Sequence, residues 1–117
     1  MTEDLLDYWL RIIKPIFPTN AWTAASLSGG DHLILIDWKL ENDPQQPNKR
    51  SRKIEIIIKE ETIDDYLSKK MDERALSDSK MKLWISERYK NFNLDQNVHT
   101  SNSTSPDKWR ISKDVLN

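Results

Sequence analysis

The sequence contains no cysteine and has few glycines and few histidines. Its 117 residues include two glycines, the adjacent Gly29 and Gly30, and two histidines, His32 and His99. Without cysteine, the chain has neither disulfide bonds nor a thiol nucleophile. The two histidines stand far apart, and neither belongs to a spacing typical of a metal site or a catalytic triad. We therefore expect no metal, no cofactor and no catalytic residue.

A strong net charge and long apolar runs are also missing. The chain has 18 basic and 19 acidic residues and a net charge of −1, so no overall field attracts nucleic acid or an anionic membrane. No apolar run approaches the roughly 18 residues of a membrane span. Glu3 and Asp4 lie near the start, followed by Pro15 and Pro18, which is unlike a secretory signal. We expect one small, soluble, cytoplasmic domain.

Two segments alternate apolar and polar residues with a period of two, which is typical of half-buried strands. Their apolar sets are Ile54, Ile56 and Ile58 in residues 52–60, and Ile34, Ile36, Trp38 and Leu40 in residues 32–40. The connection, residues 41–51, is polar and contains two prolines. We therefore predict a loop between two antiparallel strands.

The charges between these apolar positions predict a register. Placing Trp38 opposite Ile56 sets Lys39 opposite Glu55. Unlike charges across a strand pair contribute roughly 0.2–1 kcal/mol each, whereas like charges destabilise the pair. A shift of two residues would set Asp37 against Glu55, so we predict the first register.

A third, weaker strand is predicted over residues 21–27, ahead of a tight turn at the glycine pair. The length of the loop decides which face each side chain of this strand occupies. With a two-residue loop, Ala25 shares a face with Ile34, and Trp22 lies on the opposite face. A three-residue loop reverses both placements, and the sequence leaves the two alternatives open.

Helical patterns flank the strands. Thr2 is the predicted cap of a helix over residues 3–13. After the strands, residues 62–65 resemble a capping box and begin a second helical pattern. That pattern weakens over residues 74–79, where Ser77 is a candidate cap for a further helix. We predict two helices with a break at this point, and one long helix is the alternative.

These elements predict an α+β fold. It consists of an N-terminal helix, a three-stranded antiparallel β-meander, and one broken or two C-terminal helices packed on one face of the sheet. Residues 1–92 form the predicted compact domain. Residues 93–117 are predicted to be a polar, partly disordered tail with a possible docking segment at residues 108–112.

The second face of the predicted sheet is too apolar to be left in water. With the two-residue loop it gathers large apolar side chains from all three strands: Trp22, Leu33, Leu35 and Ile57. A sheet with one solvated face should alternate apolar and polar residues cleanly, and this one does not. We expect a cover, provided by the tail through Trp109 and Ile111, by a second copy of the chain, or by a partner protein.

The sequence therefore favours a small non-enzymatic protein-interaction or adaptor module. Its candidate interaction face is Trp22, Leu33, Leu35, Ile57 and Trp109, and its partner is an unknown protein or a second copy. Asp37, Glu55 and Lys59 invite comparison with metal-dependent nuclease sites, but Ile57 stands where a lysine would be required. We interpret these three residues as surface charges.

The alternative function is a nucleic-acid-associated accessory protein. Four cations cluster within five positions, which we name the basic loop: Lys49, Arg50, Arg52 and Lys53. Such a cluster can contact phosphates and give a salt-dependent affinity. Solvated charges that prevent strand aggregation are the simpler interpretation. A third possibility is a ligand-binding pocket between the sheet and the helices.

Overall fold

The structure, a computed structural model, describes residues 5–38, 50–51, 53–91, 98–99 and 107–117. Its helices are α1 (Leu5–Ile13), α2 (Glu60–Leu67), α3 (Met71–Lys90) and α4 (Lys113–Leu116), and a 3-10 turn, Lys14–Ile16, follows α1. Its strands are β1 (Trp22–Ser28), β2 (Asp31–Asp37), β3 (Arg50–Ser51), β4 (Ile54–Ile58), β5 (Val98–His99) and β6 (Asp107–Ile111). Within these residues, no helix has the length and apolar character needed to cross a membrane.

The main sheet has four strands in the order β1-β2-β4-β6. The first three pair antiparallel, as predicted, whereas β6 pairs parallel to β4. The predicted three-stranded meander therefore becomes a four-stranded mixed sheet. A parallel neighbour needs a long crossover connection, and the stretch between β4 and β6 includes α2 and α3. β3 and β5 form a separate two-stranded sheet.

The hairpin between β1 and β2 has the two-residue loop. Ser28 pairs with Asp31, and Gly29 and Gly30 have φ angles of 59° and 93°. Positive φ at both loop positions defines the turn whose twist matches the flanking strands. Trp22 consequently lies opposite Asp37, on the face that this loop length predicts.

The predicted register of β2 and β4 is wrong by four residues. Ile34 lies opposite Ile56 and Ile36 opposite Ile54, whereas the prediction placed Trp38 opposite Ile56. Because the shift is even, every side chain keeps its predicted face. The predicted register would have set Ile34 opposite residue 60, where α2 begins. Keeping isoleucine pairs inside the sheet outweighs the small gain from charge pairs, since a buried aliphatic side chain contributes roughly 1.5–3 kcal/mol.

One face of the sheet carries the hydrophobic core. The described helices supply the other half of this core, and its large side chains are almost inaccessible to solvent. They include Ile34, Ile36, Ile54, Ile56 and Ile58 from β2 and β4, Leu6, Trp9 and Ile13 from α1, Ile63 and Tyr66 from α2, Met81 and Ile85 from α3, Leu116 from α4, and Phe17 and Trp38 from the connecting segments.

The C-terminal strand β6 contributes to this same core. Its parallel register places Trp109 beside Ile56 and Arg110 beside Ile57. Trp109 is 2% exposed and Ile111 is inaccessible. The prediction that Trp109 and Ile111 cover the second face is therefore wrong, because the pairing with β4 turns both toward the helices. The predicted docking segment, residues 108–112, overlaps β6, while residues 93–97 and 100–106 of the predicted polar tail lie outside the described residues.

The start of α2 differs from the predicted capping box. The helix begins at Glu60, whose backbone N–H donates to the Asp31 carboxylate at 2.8 Å, and Lys59 Nζ lies 3.1 Å from the same carboxylate. These two donors, the backbone N–H first, hold the pKa of Asp31 below its usual value. Thr62 lies inside the helix, and its hydroxyl donates to the Ile111 carbonyl at 3.1 Å. The first residue of β2 thus caps α2.

The break between the C-terminal helices lies at residues 68–70, not near residues 74–79. Lys70 N donates to the Glu73 carboxylate at 3.3 Å at the start of α3. Ser77 is therefore not a cap. It lies buried within α3, where its hydroxyl donates to the Leu116 carbonyl at 2.9 Å and accepts from Lys69 Nζ at 2.7 Å. The N-terminal helix was predicted correctly, while its proposed cap, Thr2, lies outside the described residues.

Candidate functional site

The sheet face that points away from the helices, named here the second face, carries four of the five predicted interaction residues. Trp22 is 48% exposed, Leu33 and Leu35 are partly exposed, and Ile57 is 8% exposed. Trp109 is not among them, since it lies on the helix-covered face. Leu33 and Arg110 flank Ile57 in the register, and such long side chains shield a central position even without an overlying layer.

Charged residues border this apolar patch on the side of β6. Lys108 lies opposite Glu55, and Arg110 extends the same row, with both cations exposed. Near Trp22, Lys53 Nζ lies 5.9 Å from the centre of the indole ring. An exposed cation over an aromatic ring contributes roughly 0.5–1 kcal/mol. On the second face, β1 itself therefore contributes no charged side chain, whereas β6 contributes two cations.

β1 is one edge of the four-stranded sheet, and no described strand pairs with its outer side. Its sequence, Trp-Thr-Ala-Ala-Ser-Leu-Ser, has no charge and no proline. Its pairing with β2 runs without a bulge over all seven residues. Two large apolar side chains stand exposed near its ends, Trp22 at 48% and Leu27 at 64%.

The hairpin geometry defines which backbone groups of β1 face outward. In a two-residue hairpin the residues next to the loop form a hydrogen-bonded pair, and such pairs then alternate along the ladder. Ser28 and Ser26 therefore bond to β2, whereas the N–H and C=O groups of Thr23, Ala25 and Leu27 point away from it. These outward groups are available to another strand.

The opposite edge of the sheet is built differently. β6 has five residues, three of which are charged: Asp107, Lys108 and Arg110. Charged side chains and short length are common protections of edge strands against pairing with other chains. β1 has neither protection, so the two edges are not equivalent as binding surfaces.

The structure describes little of the basic loop. Lys49 and Arg52 lie outside the described residues, and Arg50 is described only by its backbone in β3. Lys53 is exposed beside Trp22. A phosphate-binding role for the loop stays a prediction.

The interpretation of Asp37, Glu55 and Lys59 as surface charges is wrong for Asp37, which is 4% exposed. Glu55 is partly exposed, and Lys59 pairs with Asp31. The part of the chain that the structure describes contains no group of three histidine, aspartate or glutamate residues that could hold a metal ion.

A cavity of about 520 Å³, which sequence reasoning missed, opens between α1, α2 and α3. Its walls combine apolar side chains with a few polar ones: Leu5, Tyr8, Tyr66, Leu67, Met71, Arg74, Ala75 and Asp78. The volume is typical of small-molecule sites, and so is the mixture of apolar walls and few polar groups. Leu67 and Met71 at this cavity are 48% and 78% exposed.

The polar end of the cavity is a buried carboxylate. Asp78 is 9% exposed and accepts hydrogen bonds from Tyr8 Oη at 2.6 Å, Tyr66 Oη at 3.2 Å and Trp9 Nε1 at 3.3 Å. Burial, together with the hydrogen bond to Asp78, raises the pKa of Tyr66 well above its usual value. Tyr66 therefore remains a phenol that donates its proton to the carboxylate at neutral pH.

Two arginines lie over the tyrosine rings of this cluster. Arg11 Cζ is 5.9 Å from the centre of the Tyr8 ring, and Arg74 Cζ is 5.6 Å from that of Tyr66. Arg74 Nε also donates to the Tyr66 carbonyl at 3.2 Å, which closes the end of α2. No spacing in the sequence indicated this cluster, because Tyr8 and Asp78 are 70 residues apart.

Comparisons of this chain with protein-family models, with curated proteins and with solved structures found no match.

Proposed function

We propose that the protein is a non-enzymatic protein-interaction module that binds an extended segment of its partner along β1, and that a second copy of the chain is such a partner. The observation that carries this proposal is the edge strand itself. β1 is seven residues long, regular and uncharged. An exposed strand of this kind is a template for the addition of another strand.

The sequence of β1 suits pairing with itself. In an antiparallel arrangement centred on Ala25, Thr23 lies opposite Leu27 of the second copy. The outward N–H and C=O groups of three residues then face their counterparts, which gives roughly six hydrogen bonds between the chains. Registers shifted by two residues use fewer of these groups, so the centred register is favoured.

The side chains allow this approach. Centred on Ala25, the pairing places Trp22 opposite Ser28 of the second copy and Ala24 opposite Ser26. No like charges meet, and each large side chain lies beside a small one, which avoids overlap. The two four-stranded sheets then form one continuous sheet, and their second faces become a single surface with basic residues at its outer edges.

Hydrogen bonds alone do not determine the affinity. Roughly six bonds at about 1 kcal/mol each are comparable to the 4–15 kcal/mol that association costs in lost motion. Burial of apolar area from Trp22 and Leu27 therefore contributes the net stabilisation. We expect a reversible dimer whose population depends on protein concentration.

Sedimentation velocity over a wide concentration range tests the proposal. The wild-type chain should shift from monomer to dimer, and Ala25→Pro should stay monomeric to much higher concentration, because proline removes the outward N–H at the centre of the pair. Ala25→Ser is the matched control and should behave as the wild type. A wild-type chain that is monomeric throughout would overturn the proposal, and so would equal dimerisation of the proline variant.

A further inference from the structure

The cavity between α1, α2 and α3 has a chemical preference that follows from its hydrogen bonds. Both phenol protons, from Tyr8 and Tyr66, are donated to Asp78. A hydroxyl whose proton is already donated can offer a ligand only lone pairs. The carboxylate is an acceptor as well. The polar end of the cavity therefore presents acceptors, and a ligand group bound there must be a donor.

The charge of the site favours a cation among the hydrogen-bond donors that a ligand could present. Asp78 is nine-tenths buried, and its hydrogen-bond partners among the described residues are neutral phenol and indole groups. No lysine, arginine or histidine of the described chain forms an ion pair with it. A buried carboxylate that is hydrogen-bonded but not ion-paired favours a nearby positive charge, since the low dielectric strengthens the attraction.

Two arginines lie beside the same cluster, with their guanidinium groups 5.9 Å and 5.6 Å from the centres of the Tyr8 and Tyr66 rings. Their positive charges oppose that of a bound cation, so the attraction for an ammonium group comes from Asp78 alone. Arg74 contributes little as a donor to the cavity, because it donates to the Tyr66 and Leu67 carbonyls at the end of α2. It therefore leaves the acceptor end at Asp78 to a ligand.

The remaining walls define the rest of the ligand. Leu5, Leu67, Met71 and Ala75 line the cavity with apolar surface, and Leu67 and Met71 are among the exposed large apolar side chains of the described residues. Each would lose contact with water when an apolar group filled the cavity. We infer that this cavity binds a small primary amine, with its ammonium group at Asp78 and Tyr66 and its hydrocarbon body against Leu67, Met71 and Ala75.

Three six-carbon probes of matched size test this inference: hexylammonium, 1-hexanol and hexanoate. Each is titrated into the 117-residue chain while amide chemical shifts are followed by NMR. Hexylammonium should bind at least tenfold more tightly than 1-hexanol, with shifts concentrated at Tyr66, Leu67, Met71 and Ala75. Hexanoate should bind more weakly than either, because its charge repels that of Asp78.

Variants separate the cavity from nonspecific adsorption. Ala75→Phe places a ring in the cavity from an exposed helix position and should abolish binding without disturbing the Asp78 hydrogen bonds. Leu76→Phe adds a ring to the neighbouring exposed residue, which does not line the cavity, and should bind as the wild type. Asp78→Asn should remove the preference for the amine over the alcohol.

The inference is overturned if hexylammonium causes no saturable shifts, or if 1-hexanol or hexanoate binds as tightly. Equal binding by the wild type and Ala75→Phe would overturn it too, and that result does not depend on whether Asp78→Asn folds. Dimerisation along β1 is independent of all these outcomes.

Discussion

Trp109 and Trp22 provide a direct test of which face of the sheet is buried in the core and which is exposed. Trp109 is 2% exposed, packs against Phe17 with ring centres 6.1 Å apart and ring planes tilted by 34°, and donates its indole N–H to Asp107 at 3.0 Å. Trp22 is 48% exposed on the second face. Each tryptophan is replaced by alanine, so the chemical change is the same at the two positions.

The two substitutions should lower the free energy of unfolding by different amounts, because Trp109 is buried and Trp22 is about half exposed. Removal of a buried tryptophan destabilises a protein by about 3–5 kcal/mol, a large share of the roughly 5–15 kcal/mol that holds a domain folded. At Trp22 about half of the side chain is already in water, so the loss is about 1 kcal/mol. Trp109→Ala should be close to unfolded in dilute urea, whereas Trp22→Ala should unfold near the wild-type midpoint.

Urea denaturation followed by far-ultraviolet circular dichroism measures both costs without relying on tryptophan fluorescence. The slope of the transition shows whether a variant still unfolds in one step. Dilute protein avoids a contribution from dimerisation. Equal destabilisation by the two substitutions, or a cost at Trp109 below about 1 kcal/mol, would refute the placement of β6 in the core.

Further predictions concern the ends of α2 and the basic loop. Thr62→Val keeps the shape of a buried side chain but removes the hydrogen bond to Ile111. Chemical denaturation should therefore show that the free energy of unfolding falls by about 1–3 kcal/mol. An unchanged free energy of unfolding would contradict the hydrogen bond. Asp31→Ala should lower the melting temperature at pH 7, because the N–H of Glu60 loses its acceptor. Since the folded pKa of Asp31 lies below its usual 3.8, this contribution is complete above that value and is lost as the pH falls through the folded pKa. A difference between the two proteins that does not shrink at all as the pH is lowered below 3.8 would contradict it. Replacement of all four cations of the basic loop by serine should leave the free energy of unfolding within about 0.5 kcal/mol of the wild type. Mobility-shift assays at low salt test the nucleic-acid alternative. That alternative would be supported if the wild type bound nucleic acid at sub-micromolar concentration and the serine variant did not.

The local patterns of the sequence were sufficient for much of the fold. Alternating isoleucines identified β2 and β4, and the glycine pair located the hairpin between β1 and β2. The residues predicted to share the second face do so, apart from Trp109. Each of these features depends on a period of two or on a turn conformation, which neighbouring residues determine by themselves.

Features that depend on distant partners were not predictable in this way. The cap of α2 comes from Asp31, 29 residues before Glu60. The face of Trp109 depends on a parallel pairing with β4, which nothing within residues 107–111 specifies. The polar cluster at Asp78 joins three helices, and its donors lie in α1 and α2. The register of β2 and β4 likewise depends on where α2 begins, which the charge pairs within the strands do not specify.

Self-association of the 117-residue chain tests the proposed function most directly. Sedimentation velocity should show a concentration-dependent dimer, and Ala25→Pro should weaken it by about 30-fold, since two interchain hydrogen bonds of about 1 kcal/mol each are lost. Leu35→Lys, on the second face but away from the outer edge of β1, should leave the dimer nearly unchanged. Dissociation by Leu35→Lys but not by Ala25→Pro would show that the second face, not the strand edge, holds the two chains together, and would contradict the proposal.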